Sequence, residues 1–286
     1  MTHTRALLVI LLALAVAPLR AQQAHLFDMH VHLHEGEKSI AAYQAQVAAD
    51  KVSLDGAAIM WFGGGHQALQ GDPATIRVNN DAVLAWAAKN PTLVPIATVH
   101  PYDGDAALAE LQRVAARGIK VLKIHPHTQK FDAADPRVLA LVRRAGELGV
   151  IVLMDNASIV PGDCQKLFNL ALDAPKTKFI FAHLGALNFR FWNILALART
   201  AENLFAENIY FDLSGTAVLA ADSPIEAEFV WTLRNVGIEH VLFGSDYPQM
   251  SVATTLDALN RLGLTDAEKA AIRYGNAQKL LGLKAP

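Results

Sequence analysis

The 286-residue sequence contains one cysteine, Cys164, so no disulfide can form within the chain. It sits in PGDCQKLFNLAL, an apparent helix, with no histidine nearby in sequence. The thiol is therefore expected to be buried and inert rather than nucleophilic. An excess of one charge is also lacking: 25 Lys and Arg against 27 Asp and Glu leave a formal net charge of −2. With no basic run and no interleaving of basic and aromatic residues, nucleic acid is excluded as a partner. No glycine fingerprint follows the first strand-like run, which argues against an open dinucleotide-binding sheet. Linkers and low-complexity segments are absent too, so nothing divides the chain into separate domains.

No apolar run is long enough to span a bilayer with ease. The longest, ALLVILLALAVAP, follows Arg5 and is closed by Pro18, with a small residue at Ala21. A short basic region, a short apolar core and a small residue at the cut make a secretory signal over 1–21. Residues 22–286 are then expected to be a periplasmic or secreted domain with no membrane attachment after cleavage. No cysteine sits at the cut, which argues against a lipoprotein.

Beyond the signal, eight apolar runs alternate with longer helical patterns, from HLFDMHVH near the start to HVLFGSDYP near the end. Their spacing of roughly 25 to 40 residues is that of one βα unit. Their near-continuous apolar character suits strands buried on both faces. The helices carry readable punctuation. DPRVLALVRRAGELG offers Asp135 as N-cap, Pro136 at the first helical position and Gly149 as its stop, with Val138, Leu141, Val142, Ala145 and Leu148 on one stripe. Ser223–Glu226 and Thr265–Glu268 both read as capping boxes. The expected fold is a single α/β domain, a (β/α)8 TIM barrel.

In such a barrel, chemistry sits at the C-terminal strand ends, and here those ends are unusually polar. They carry His30 and His32 in the first run, His100 in the third, Lys123 and His125 in the fourth, Asp155 and Asn156 in the fifth, His183 in the sixth and Asp246 in the eighth. Two imidazoles at i and i+2 share a strand face and can chelate one cation without backbone distortion. His183 and Asp246 add nitrogen and oxygen donors of the kind a divalent ion needs. His34 shares the parity but lies past the strand, in HEGEK, and is expected to be a solvated loop residue.

DMHVH, KIHP, FAHLG, FGSDYP and the closing YGNAQKLLGL together resemble the amidohydrolase superfamily. More narrowly, they are similar to its amidohydrolase-related branch of aminocarboxymuconate-semialdehyde decarboxylase-like enzymes, which also holds lactone hydrolases. The likeness runs from about residue 26 to 283. It implies His30 and His32 as metal ligands, Asp246 as ligand and general base, and His183 as the residue that polarises water or substrate. Asp28 would have a structural role or be the partner that orients a ligating histidine. One position departs from the pattern. Asp155 stands where this branch places a third metal-binding histidine. It is either itself a ligand, which would favour manganese over zinc alone, or a hydrogen-bond partner of a histidine in a metal-free site.

The resemblance therefore implies a hydrolase with one divalent ion, Zn or Mn, held by His30, His32, Asp155 and Asp246. It would cleave an ester, lactone or amide of a small polar or carboxylate substrate, with Asp246 as base. The alternatives are non-oxidative decarboxylation of an unsaturated acid on the same residues, and a metal-independent lactonase. Lys123, His125 and His100 are the candidates for substrate contact, with Arg190 a further place for a substrate carboxylate. Gly63–Gly65 mark either a close approach or a plain turn. Phe189, Phe191 and Trp192 either wall a pocket or pack against a second copy of the chain, so a homo-oligomer is left open.

Overall fold

The computed structural model describes residues 25–201 and 207–284; the expected signal, residues 1–21, lies outside them. One parallel sheet runs in sequence order: β1 (Phe27–His32), β2 (Gly56–Met60), β3 (Leu93–Thr98), β4 (Val121–Ile124), β5 (Ile151–Met154), β6 (Phe179–Phe181), β7 (Ile209–Asp212) and β8 (Val241–Leu242). The chain after β8 returns to β1. Met29 N–H donates to the Phe243 carbonyl at 3.0 Å, His32 N–H to that of Tyr247 at 2.8 Å, and Asp246 N–H to that of His30 at 2.9 Å. Closure leaves no edge strand exposed. The molecule is a single-domain (β/α)8 barrel. No helix among the described residues is long and apolar enough to cross a membrane.

Both faces of the strands are buried, as the continuous apolar runs require. Met29, Ala58, Val121, Leu153, Ile180 and Leu242 fill the barrel interior. Their neighbours along the strands, among them Ile59, Leu122, Val152 and Phe211, pack outward against the helices. Apart from Ala58, each such side chain removed from water contributes roughly 1.5–3 kcal/mol. The helix Pro136–Glu147 begins where expected, with the Asp135 carboxylate accepting from Arg137 N–H at 2.8 Å, and it buries Val138, Leu141, Val142 and Ala145. Thr265 and Glu268 form their capping box. Ser223 does not: its helix starts at Glu226, whose carboxylate accepts from Asp222 N–H instead.

One irregularity positions the site. β1 pairs with β2 as Phe27↔Gly56 and Asp28↔Ala57, then as Val31↔Ile59 and His32↔Met60. Three residue steps on β1 match two on β2, a β-bulge that changes which face the strand presents. Before it, Met29 points into the barrel interior; after it, Val31 joins the outer core. Asp28 therefore points outward, where it accepts from the Tyr43 hydroxyl at 2.8 Å on the helix Glu37–Ala49. His30 and His32 point inward.

Candidate active site

A cavity of about 510 Å3 opens at the C-terminal strand ends. At its floor the Nε2 atoms of His30 and His32 lie 3.0 Å apart, and Asp246 Oδ1 lies 3.5 and 3.3 Å from them. Hydrogen-bond accounting fixes the two rings. His30 Nδ1 faces the Asp212 carboxylate at 3.0 Å, and His32 Nδ1 faces the Phe62 carbonyl at 2.7 Å. A carbonyl and an ionised carboxylate only accept, so both Nδ1 atoms carry a hydrogen, and in the neutral rings both Nε2 atoms present lone pairs. Burial and the Lys123 charge hold His30 neutral, down to about 4, against the pull of Asp212 and Asp246.

Two lone pairs and a carboxylate oxygen thus converge. Lys123 Nζ, 3.3 Å from His30 Nε2, answers one of them. Among the described residues, no N–H or O–H donor faces His32 Nε2. The set fits a divalent cation. Its donor spacing is close to that of ligands at about 2.1 Å from one ion, and each imidazole is oriented from behind as metal-binding histidines are. His30, His32 and Asp246 form the group of potential ligands, all within 4.8 Å of one another. Asp155 is not in that group.

Asp155 is engaged elsewhere. Its Oδ1 lies 3.3 Å from His183 Nε2 and 3.5 Å from His125 Nε2. The other nitrogen of His183, Nδ1, faces the Ser214 carbonyl at 2.9 Å. Acceptors on both nitrogens make His183 an imidazolium. Burial opposes that charge, but the hydrogen bond to Asp155 and the carboxylates of Asp212, Asp155 and Asp246 outweigh it and lift His183 to about 9. Burial also works against the Asp155 anion, yet His183, His125 and Lys123 hold its carboxyl far below the usual range. His125 is driven the other way, to about 3, chiefly by burial. The proton in this trio therefore resides on His183. Lys123 is fully buried and its ammonium is lowered by that burial.

The backbone is bent to present these groups. His183, Leu184 and Ala186 all have positive φ (63°, 47° and 47°), and Asp246 has φ 61°. Non-glycine residues hold such conformations at a cost, and they concentrate where side chains must be aimed. Gly244 provides room: a Cβ there would lie 2.9 Å from the His30 Cβ and 3.4 Å from that of Asp212. Gly63 and Gly64 are a close approach, since a Cβ on either would come within 2.6 Å of the His34 side chain.

Several expectations need correction. His100 does not reach the cavity. Its Nε2 donates to the Gln129 carbonyl at 2.7 Å and its Nδ1 accepts from Tyr102 N–H at 3.1 Å, so it fastens the turn after β3. His34 is half-buried and lines the cavity rather than standing in solvent. Of the two roles expected for Asp28, it takes the structural one and touches no ligating ring. It accepts from the backbone N–H groups of His30 and Ser245 and from the hydroxyls of Tyr43 and Ser245. Arg190 pairs with Glu228. Phe189 and Trp192 are wholly buried, Phe189 edge-on to Phe229 and Trp192 stacked on Phe181. Cys164 is buried, as expected, against Asn156 and Ser158.

Sequence reading passed over Asp212 and Ser214. Asp212 bonds His30 Nδ1 and also accepts from His183 N–H at 3.2 Å, and the Ser214 hydroxyl lies 2.9 Å from His183 Nδ1. The signal was present in NIYFDLSG, a strand end as polar as the others.

With the barrel and its strand-end donors in place, comparison with known proteins decides the family. An amidohydrolase family model matches residues 27–283. The chain belongs to the amidohydrolase family. No curated protein matches it. Solved structures similar to this amidohydrolase-family enzyme include 5-carboxyvanillate decarboxylase from Sphingomonas paucimobilis, at 16% identity and TM-score 0.69, covering 91% of this chain and 100% of that one. Another is 2,6-dihydroxybenzoate decarboxylase from Rhizobium, at 17% and 0.67, covering 91% and 99%. A third is dihydroxybenzoic acid decarboxylase from Polaromonas sp. JS666 with bound manganese and 2-nitroresorcinol, at 16% and 0.67, covering 92% and 98%. At these identities the likeness is one of fold.

Proposed function

We propose that this enzyme is a divalent-metal-dependent lyase that removes the carboxylate of a small unsaturated or aromatic acid as carbon dioxide. The observation that carries this reading is the doubly donating His183, held by Asp155 and Ser214 inside the cavity that contains the His30, His32 and Asp246 donors. Breaking a carbon–carboxylate bond leaves an electron pair on carbon, and that carbon needs a proton. His183 supplies it, and Asp155, an anion throughout, holds the ring in place. The proton on His183 is then replaced from solvent, so the net change is one carboxylate anion and one proton converted to CO2 and a product with hydrogen in place of the carboxylate. The similar structures described above, whose names specify a reaction, are decarboxylases, and one carries manganese. A cation bound by His30, His32 and Asp246 would draw electron density from the substrate; manganese fits this mixed imidazole and carboxylate set as well as zinc does.

Hydrolysis of an ester or lactone is the second reading. It is favoured by Asp246, whose side chain keeps 18% of its surface open to the cavity beside the paired imidazoles, where it could take a proton from water. The two readings give different products. Manganese-loaded protein offered a panel of hydroxybenzoic and unsaturated acids should release CO2 in step with acid consumed. A new acid group formed from esters or lactones, with no CO2 from any acid, would reverse the order of the two readings.

A further inference from the structure

We infer that the substrate carries one anionic group, taken at the cavity floor, and that the rest of it is uncharged and largely apolar. This rests on the reading of the site as one that acts on a carboxylic acid, and it narrows the class of acid. Charge in the cavity is sorted by depth. Lys123, Asp155 and Asp246, and the imidazolium of His183, all stand at strand ends or within four residues after them. The loops above contribute no lysine, arginine, aspartate or glutamate. His34, Gln67, Thr128 and Gln249 are polar there, and Ile159, Leu219 and Met250 are apolar.

A second anionic group on the substrate would find no lysine or arginine near the mouth. Among the described lining residues there is no arginine and no lysine other than Lys123. Lys123 is 1% exposed and engaged with His30, too deep to serve both ends of a substrate. Arg190, in the segment after β6, is outside the cavity and held by both oxygens of Glu228. A carboxylate brought to such a rim would lose hydration with no ion pair in return. The rim offers apolar contact instead. Ile159 and Leu219 are 57% and 53% exposed at the mouth, large apolar side chains with room for an apolar substrate face.

The test compares two probes on the manganese-loaded full chain: 2-hydroxybenzoate, and 4-hydroxybenzene-1,3-dicarboxylate, which adds a second carboxylate to the same ring. Calorimetric affinity is measured alongside CO2 release. The dicarboxylate should bind at least tenfold more weakly. Leu219→Arg, which places a cation at the rim, should improve dicarboxylate affinity relative to the monoacid by at least tenfold, while Leu219→Gln should leave the ratio unchanged. Thr128→Arg repeats the test from another loop if Leu219→Arg folds poorly. A dicarboxylate bound as tightly as the monoacid, or binding of neither, overturns the inference. Preferential binding of the monoacid without CO2 release upholds it and overturns only the decarboxylation reading.

Discussion

Asp155 Oδ1 lies 3.3 Å from His183 Nε2, so the carboxylate that stands in a metal-ligand position of the sequence pattern instead holds a proton donor. The relation separates two roles. Three donors, on His30, His32 and Asp246, converge on one point, and beside them an ion pair keeps a proton on His183.

Asp155→Asn should therefore leave metal content unchanged while lowering turnover by about 100-fold, the scale of a lost acid catalyst. The same variant should bring His183 down from about 9 toward its ordinary range, because the carboxylate that favours its charged form is gone. Elemental analysis and an NMR titration of the His183 ring check both halves. Loss of stoichiometric metal in Asp155→Asn would show that the residue is a ligand after all.

Asp212→Asn should weaken metal binding by about 10- to 100-fold, since it removes the carboxylate that fixes the His30 ring with Nε2 forward. Competition with a chromogenic chelator measures this directly. Because Asp212 also accepts from the His183 backbone, activity at saturating metal should remain below that of the unmodified protein.

Gly244→Ala adds one methyl group where the His30 Cβ would be 2.9 Å away. The expected result is a folded barrel with weakened metal binding, because His30 and Asp212 must shift to admit the new atom. Circular dichroism with chelator competition distinguishes this from general unfolding, which would remove both signals.

Asp28 makes stability depend on pH. Burial raises its carboxyl from 3.8 to about 6, against the opposing hydrogen bonds from Ser245, His30 and Tyr43. The folded state thus binds the proton more tightly than the unfolded chain does. The group's contribution falls as pH rises from about 4 through about 6, by an amount on the order of 3 kcal/mol. Urea melts of Asp28→Asn at pH 4.5, 6 and 7.5 should lack this slope, while being weaker than the native protein by roughly 1–3 kcal/mol at the lowest pH. An unchanged slope would assign the pH dependence to another group.

Export is open to a simple test. Full-length protein expressed in a bacterium should be recovered from the periplasmic fraction with Gln22 as its first residue, by N-terminal mass spectrometry. A retained Met1 on a membrane-bound protein would instead make the apolar segment an anchor.

The order of elements and the fold class were legible in the sequence because they depend on local signals. Apolar runs at βα spacing, Asp135–Pro136 before a helical stripe and the Thr265 capping box each act over a few residues. The strand-end set was legible too, since a parallel barrel sends every strand's C-terminal end to one face. His30, His32, Lys123, His125, Asp155, His183 and Asp246 do meet in one cavity. Which of them touch was not legible. Parity along DMHVH places Asp28 with the histidines, and only the slip between Asp28 and Val31 turns it outward to Tyr43. That slip is a property of pairing with β2, which the residues of β1 alone do not specify. The same holds for Asp155, whose choice between a metal and His183 depends on where the kinked chain after β6 sets an imidazole, and for His100, which Gln129 holds away from the cavity. Residue type and period determined what chemistry the chain could gather; long-range packing decided which atoms came within reach of one another.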